Sequence, residues 1–186
     1  MKSLIVALLN LLMIFAISSC SEHARISREL AEFQDQTIVL PSAFHKVESG
    51  QVVLSKTITD VPIMILYNDS LSCSLCQIHQ LYNKIPIYDL ADSLGTFTVM
   101  TILSPTQDEY LDVITELKER DFDFPVYIDQ SGDFRRINAG IPKDNRFHCF
   151  LIDRDGKPIF VGNPISNDLL WNLFCKTLNN LEHFIR

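Results

Sequence analysis

Two cysteines separated by two residues, Cys73 and Cys76, are the residues whose types and spacing point most directly to chemistry. A thiolate attacks a disulfide, and a second thiol three positions away can then attack the mixed disulfide that forms. The apolar run over residues 63–67 predicts a buried strand before the pair, and an amphipathic helical pattern follows it. Unpaired N–H groups at a helix N-terminus favour a thiolate and lower the pKa of a cysteine there from about 8.5 towards 7. The pattern therefore predicts Cys73 as an exposed nucleophile and Cys76 as the resolving thiol.

Composition limits the function classes that this chain can serve. Its 186 residues are 47% hydrophobic and 21% charged, which fits one globular domain and excludes a disordered, collagen-like or polytopic membrane chain. The formal net charge of −7 argues against a general affinity for nucleic acid. Five cysteines are too few for a disulfide-scaffold miniprotein, and the odd number implies that one of them differs from the rest.

The N-terminus has the pattern of a targeting segment. Lys2 precedes an apolar run over residues 4–17, and that run is shorter than the ~20 residues that span a bilayer. The small residues before Cys20 resemble the lipobox of bacterial lipoproteins, which implies a signal peptide over residues 1–19 and lipidation of Cys20. Several acyl chains make a stable membrane anchor. Ser21 after the anchor favours the outer membrane, facing the periplasm, and the alternative is an ordinary secretory signal with an incidental cysteine.

The rest of the chain divides into a tether and one domain. Residues 20–36 are polar and end in a helical turn, and residues 37–186 alternate strand and helix patterns. The predicted strands cover residues 37–40, 63–67, 96–103, 124–129, 148–152 and 158–161, with a hairpin over 44–56. One predicted helix begins after residue 74 and has Tyr82 on its inward face. Another opens at a capping box over residues 106–109, and two more cover residues 134–138 and 167–184, the last with Leu173 facing inward. This order predicts an α/β domain with a mixed central sheet.

The order of these elements around the cysteine pair resembles the thioredoxin fold. The N-terminal strands and segment 150–157 are similar to the TlpA/ResA and peroxiredoxin-like (redoxin-type) branch. Segments 147–153 and 161–165 are similar to a group of lipid-anchored thioredoxin-like proteins, and the resemblance covers residues 37–184. It implies a mixed central β-sheet flanked by helices, with extra N-terminal strands. The activity implied is exchange of a redox-active disulfide, Cys73–Cys76, with the dithiols and disulfides of other proteins. No cofactor is implied, and a membrane protein is the expected electron donor.

The same resemblance implies a substrate groove beside the pair, lined by Ser72, Phe147 and His148. Ser72 stands where the family usually has Trp, and Phe147 stands where it has a cis-proline. A cis bond before a residue other than proline costs about 2.5–4 kcal/mol, so a trans loop is expected at Phe147. Tyr67 occupies the position of the family's buried acid, and Asp69 and Glu48 are candidate substitutes for that acid.

Other cysteines and histidines admit two interpretations each. Cys149 is either a core residue or a third participant in exchange, and core is favoured because free cysteine is among the most buried residue types. Cys175 is expected in the core. His79 could join Cys73 and His148 in a metal site, but we expect a solvent-facing helical histidine and therefore no metal.

Two function classes follow. The first is an envelope thiol–disulfide oxidoreductase. It is a reductase if a donor keeps the cysteine pair reduced, and an oxidase or a disulfide store if the pair is kept oxidised. The second is a thioredoxin-like binding or metal-handling module that has lost catalysis, with a structural disulfide in place of a working one. A one-cysteine peroxidase is a third and weaker hypothesis, because the segment before Cys73 lacks the sequence pattern of that family.

Overall fold

The structure is a computed structural model that describes residue 22, residues 24–56 and residues 60–184. The predicted signal peptide and the lipidation of Cys20 lie outside these residues. The strands are β1 (Ala43–Glu48), β2 (Gln51–Lys56), β3 (Ile63–Asn68), β4 (Thr98–Leu103), β5 (Val126–Ile128), β6 (Cys149–Ile152) and β7 (Pro158–Val161). The helices are α1 (residues 24–34), α2 (Ser74–Gln80), α3 (Ile85–Leu94), α4 (Tyr110–Arg120), α5 (Asp133–Ile137) and α6 (Asp168–Phe184). Short 3₁₀ turns cover Leu81–Lys84, Asn145–Phe147 and Pro164–Ser166.

The strands form one mixed sheet in the order β2-β1-β5-β4-β3-β6-β7. Strands β3, β4 and β5 run parallel to one another, and the remaining pairs are antiparallel. The predicted α/β architecture, with a mixed sheet, flanking helices and an extra N-terminal hairpin, is confirmed. The element order around the cysteine pair is also the predicted one.

Hydrophobic side chains pack on both faces of this sheet. Met64 and Leu66 of β3 point to a cluster that includes residues of α2, α3, α4 and α6. Ile63 and Ile65, which alternate with them, point to a second cluster that includes residues of α1 and α5. Because β3 is covered on both faces, it is a continuous apolar run that ends abruptly at the polar loop carrying the cysteines.

The segment 37–40 is not a strand, contrary to the sequence prediction. The amide of Asn138 occupies the backbone groups that a neighbouring strand would use: its Oδ1 accepts from Val39 N at 2.8 Å and its Nδ2 donates to Val39 O at 2.8 Å. Ile38 N donates to Gly156 O at 2.8 Å. The segment is therefore held by the Asn138 side chain and by the turn at Gly156, and not by a neighbouring strand.

Two predicted helical faces are narrower than the sequence indicated. Leu173 was expected to face inward and is 49% exposed, because α6 contacts the sheet through Leu170, Phe174 and Leu178. Tyr82 was also expected inward and is 45% exposed. Helix α2 ends at Gln80 in a 3₁₀ turn, whose three residues per turn rotate the following side chains off the helical stripe.

The helix α1 covers part of the predicted tether, and it packs on the domain. Phe33 has no exposed surface, and its ring meets that of Phe150 in β6 edge to face, with centroids 5.1 Å apart. The second hydrophobic cluster therefore begins before residue 37. In the residues that the structure describes, no helix combines the length and apolar character needed to cross a bilayer.

Candidate active site

The cysteine pair lies where the buried central strand gives way to helix α2. Cys73 is the N-cap of α2, and Cys76 lies in the first turn of that helix. The two form a disulfide, with Cα atoms 5.3 Å apart, and both residues are exposed. Cys76 N donates a hydrogen bond to Cys73 Sγ at 3.2 Å. The helix thus presents the disulfide to solvent while directing a backbone N–H towards the sulfur of Cys73.

Asp69 shapes the loop before the pair. It is 8% exposed, and its Oδ1 accepts hydrogen bonds from Leu71 N at 3.1 Å and from Ser72 Oγ at 3.2 Å. Ser72 N also donates to Asp69 O at 3.1 Å. These bonds hold a turn that places Cys73 at the start of the helix, a local structure that aspartate side chains commonly stabilise.

A cleft of about 570 Å³ runs beside the pair. One wall is helical and carries Gln77, Gln80 and Lys84. The opposite walls are the loop over residues 145–148 and the loop over residues 161–166. Ser72, Phe147 and His148, the three residues predicted to line a substrate groove, all line this one cleft.

His148 is 3% exposed and neutral. Its Nε2 lies 2.8 Å from the Pro142 carbonyl, which can only accept, so the ring proton is assigned to Nε2. Burial lowers the pKa of His148, although the hydrogen bond to Pro142 opposes the shift. The second ring nitrogen, Nδ1, is buried and has no hydrogen-bond partner among the described residues. His148 therefore carries a free acceptor at the cleft instead of a cation.

Phe147 ends the 3₁₀ turn that leads into β6. Its N–H donates to Asp144 O at 3.0 Å, and the guanidinium of Arg146 lies 6.0 Å from its ring centroid. The peptide bonds of the described residues are all trans, as expected for this loop. The loop therefore presents a partly buried aromatic ring to the cleft.

Tyr67 stands where the family that the sequence resembles has a buried acid, so this position holds a phenol. Tyr67 is 4% exposed and packs against Phe134 and His148, with ring centroids 5.0 and 5.2 Å away. Burial raises the pKa of Tyr67 to about 12, and a hydrogen bond from Ser104 partly offsets the rise. Of the two residues suggested as substitutes for that acid, Asp69 lies in the loop before the cysteine pair. Glu48 does not, because β1 is separated from β3 by two strands and Glu48 pairs there with Lys46.

His79 faces helix α4 and not the cysteine pair. Its Nδ1 lies 2.5 Å from an Arg120 nitrogen, and its Nε2 lies 3.8 Å from Glu116. His148 is in the cleft, so the structure does not bring the two histidines together with Cys73. Within residues 24–56 and 60–184, no three His, Cys, Asp or Glu side chains are grouped so as to hold a metal ion.

The remaining cysteines differ from each other. Cys149 is 8% exposed at the floor of the cleft, where burial raises its pKa to about 12 despite the nearby charge of Lys84. A thiol of that pKa is protonated and a poor nucleophile, which agrees with the core interpretation. Cys175 is only half-buried, so its predicted place in the core is not what the structure shows.

The cleft residues that were not singled out from the sequence include the three on its helical wall, Gln77, Gln80 and Lys84. Gln77 and Gln80 follow Cys73 by four and seven residues, a spacing that keeps residues on one face of an α-helix, whereas Lys84 lies on the 3₁₀ turn that follows. The apolar stripe that predicts this helix from the sequence does not include them.

Neither a protein-family model nor a curated protein matches this sequence. Solved structures with a similar fold include an exposed lipoprotein thioredoxin of Streptococcus pneumoniae (19% identity, 74% of this chain and 97% of that chain, TM-score 0.49). They also include the thioredoxin domain of a thiol-disulfide oxidoreductase of Bacteroides vulgatus (17%, 77% and 98%, TM-score 0.49). A third is an uncharacterized thioredoxin-like protein of Porphyromonas gingivalis (16%, 80% and 95%, TM-score 0.49).

Proposed function

We propose that this chain is a thiol–disulfide oxidoreductase of the bacterial cell envelope, which exchanges its Cys73–Cys76 disulfide with the thiols of other proteins. The observation that carries the proposal is an exposed disulfide at the start of a helix, beside an open cleft. A disulfide placed only for stability has no need of two exposed cysteines or of a neighbouring cleft.

In the reducing direction, the Cys73 thiolate attacks one sulfur of a substrate disulfide, and the first substrate thiolate leaves. The Cys76 thiolate then attacks Cys73 Sγ, the second substrate thiolate leaves, and the Cys73–Cys76 bond forms. Two electrons pass from the protein pair to the substrate, and a membrane dithiol donor is proposed to restore the pair. The oxidising direction is the reverse. In both, the N–H of Cys76 stabilises charge on Cys73 Sγ.

The proposal includes a lipid anchor on Cys20, in the outer membrane and facing the periplasm. Helix α1 is described from residue 24, four positions after Cys20, and Phe33 fixes it to the sheet. A domain tied so closely to its anchor would work near the membrane surface. Mass spectrometry of the N-terminal peptide tests this: we expect acyl chains on Cys20, and their absence from the protein isolated from membranes would refute the anchor.

The redox function is tested by the reduction potential of the pair and by turnover of a disulfide substrate. The full chain, purified in detergent, is equilibrated in glutathione and dithiothreitol buffers. We expect a potential between about −120 and −270 mV, the range of exchange catalysts. Cys73→Ser should abolish turnover, and Cys76→Ser should accumulate a mixed disulfide with substrate.

Other results would favour the second function class. A potential below about −300 mV would indicate a structural disulfide, and Cys73→Ser activity equal to that of the unmodified chain would refute catalysis. Absence of a two-electron transition, with one Cu(I) or Zn(II) bound per chain, would indicate a metal-handling module.

A further inference from the structure

The cleft contains one basic side chain whose charge is not balanced. Lys84 is half-buried, and in the part of the chain that the structure describes it forms no hydrogen bond or ion pair. No aspartate or glutamate lines the cleft. The other basic residue of the lining, Arg146, is already paired with Asp144, with Nε 2.8 Å from Oδ2. Lys84 is therefore the cation that an incoming anion would meet.

Burial of this ammonium costs free energy that a ligand carboxylate can recover. The surroundings of Lys84 lower its pKa, chiefly by removing water, while the nearby Cys149 thiol acts in the opposite direction. A partly desolvated cation gains more from an opposite charge than a fully hydrated one. The absence of an internal partner within the described cleft makes the gain available to a substrate.

The cleft also offers buried acceptors that have no donor. Nδ1 of His148 and Oδ1 of Asn163 are buried at its walls without hydrogen-bond partners among the described residues. An extended polypeptide supplies N–H donors at regular intervals, and a donor that reaches either acceptor after a small rotation of its side chain satisfies an atom that is otherwise costly to bury. This requirement favours a peptide over a small anion.

The distance between Cys73 and Lys84 sets a register for that peptide. The path from Cys73 to Lys84 combines α-helix with a 3₁₀ turn, which rise about 1.5 and 2.0 Å per residue, and it corresponds to roughly 18 Å, whereas an extended chain advances about 3.3 Å per residue. A substrate cysteine at Cys73 therefore places a side chain about five residues away beside Lys84. The carboxamides of Gln77 and Gln80 lie between the two ends.

We propose that the cleft selects extended substrate segments that carry an acidic side chain about five residues from the reactive cysteine, with Lys84 binding the carboxylate. This inference rests on the oxidoreductase function proposed above, because it assumes that the substrate cysteine reaches Cys73. The chemistry of exchange is unchanged; Lys84 determines which disulfides are exchanged fastest.

Binding without chemistry tests the selectivity separately from the redox function. Three fluorescent peptides have serine in place of the reactive cysteine and carry Glu, Gln or Lys about five residues away, on either side, with no other charged side chain. Each peptide is titrated with the full chain in detergent. We expect the Glu peptide to bind about tenfold more tightly than the Gln peptide, and the Lys peptide most weakly. Lys84→Met should remove the difference, and Lys84→Arg should retain it.

Lys118→Met on α4 is the matched control, since it removes the same charge from an exposed residue outside the cleft. It should leave the preference for Glu intact. Equal binding of the Glu and Gln peptides by the unmodified chain would overturn the inference. So would a preference that Lys84→Met preserves, or one that Lys118→Met abolishes equally.

A turnover experiment then separates the two proposals. With excess dithiothreitol, the chain is assayed on 2-hydroxyethyl disulfide, which is neutral, and on disulfide dimers of the Glu and Gln peptides. Turnover of the neutral disulfide without preference between dimers would preserve the oxidoreductase and reject the role of Lys84. No turnover of any disulfide would reject the oxidoreductase, and the binding titration would still decide whether the cleft selects acidic peptides.

Discussion

Replacing Phe33 by alanine tests whether helix α1 belongs to the folded domain or only connects it to the proposed anchor. Phe33 is the residue that joins α1 to the sheet, with no exposed surface and an edge-to-face contact with Phe150. The structure predicts that Phe33→Ala destabilises the whole domain, because its ring is part of the second hydrophobic cluster.

The expected cost is set by the volume lost and by the lost aromatic pair. Truncating a buried phenylalanine to alanine costs about 3–5 kcal/mol, and an edge-to-face pair contributes about 0.5–1.5 kcal/mol of such a total. Helix α1 spans residues 24–34, and a helix this short is marginal without packing. We therefore expect the free energy of unfolding to fall by about 3 kcal/mol, the lower end of that range, because detachment of α1 avoids part of the cost of an empty cavity.

Guanidinium unfolding followed by the fluorescence of Trp171 measures this cost. Trp171 is the single tryptophan, and it lies on α6 against Phe174, in the cluster on the opposite face of the sheet. A shift of its transition therefore shows that the two faces unfold together. Glu32→Ala is the control, because Glu32 is exposed on the same helix and its substitution should change stability by less than about 0.5 kcal/mol.

An unchanged Trp171 transition in Phe33→Ala would refute the reasoning. If hydrogen exchange over residues 24–34 also matched that of the unmodified chain, α1 would not be held by Phe33. If exchange there rose to the unfolded rate while the midpoint stayed constant, α1 would be an independent unit, and the domain would begin after it.

Three further predictions concern stability. Asn138→Ala removes both hydrogen bonds to Val39 and should cost about 2 kcal/mol in chemical unfolding. Gly156→Ala should cost about 2–3 kcal/mol, because φ is +81° and a Cβ would lie 2.5 Å from Ile38 O. The unfolding free energy should fall from pH 7.5 to 5.5, and His148→Phe should flatten that dependence. The pKa of His148 is lowered in the fold, so the unfolded chain takes up the proton first, below about pH 6.5.

Each of these has a result that would contradict it. Gly95→Ala is the control for Gly156→Ala, since its φ is +64° with no atom near a Cβ, so equal costs would mean that the contact with Ile38 is unimportant. An Asn138→Ala variant as stable as the unmodified chain would mean that water replaces the amide. A His148→Phe variant with the original pH dependence would assign that dependence to other groups.

The local pattern around Cys73 predicted the elements of the site well. A run of buried side chains, a break at polar residues and a helical stripe follow from nearest-neighbour preferences, so β3, the loop and α2 are where the sequence indicated. The reciprocal hydrogen bonds of the predicted capping box are present, at 3.2 Å from Thr106 N and 3.4 Å from Glu109 N, but they close a turn, and helix α4 begins only at Tyr110. These features depend only on residues a few positions apart.

Contacts between distant residues escaped prediction. Nothing near Val39 announces that Asn138 will satisfy its backbone, and nothing near Glu48 shows that its strand lies away from β3. Leu173 fits the helical period and yet is exposed, because the sheet covers only part of the helix. Each of these outcomes depends on which surfaces meet after folding.

The sequence by itself determined the order of the strands and helices around the cysteine pair and the placement of that pair at a strand-to-helix junction. Those properties are encoded by hydrophobic period and turn chemistry along the chain. Only the tertiary structure decided that Lys84 has no partner in the described cleft, that His148 is neutral with a free acceptor, and that Phe33 is part of the core. Charge, protonation and burial depend on what surrounds a side chain in space, which no local pattern specifies.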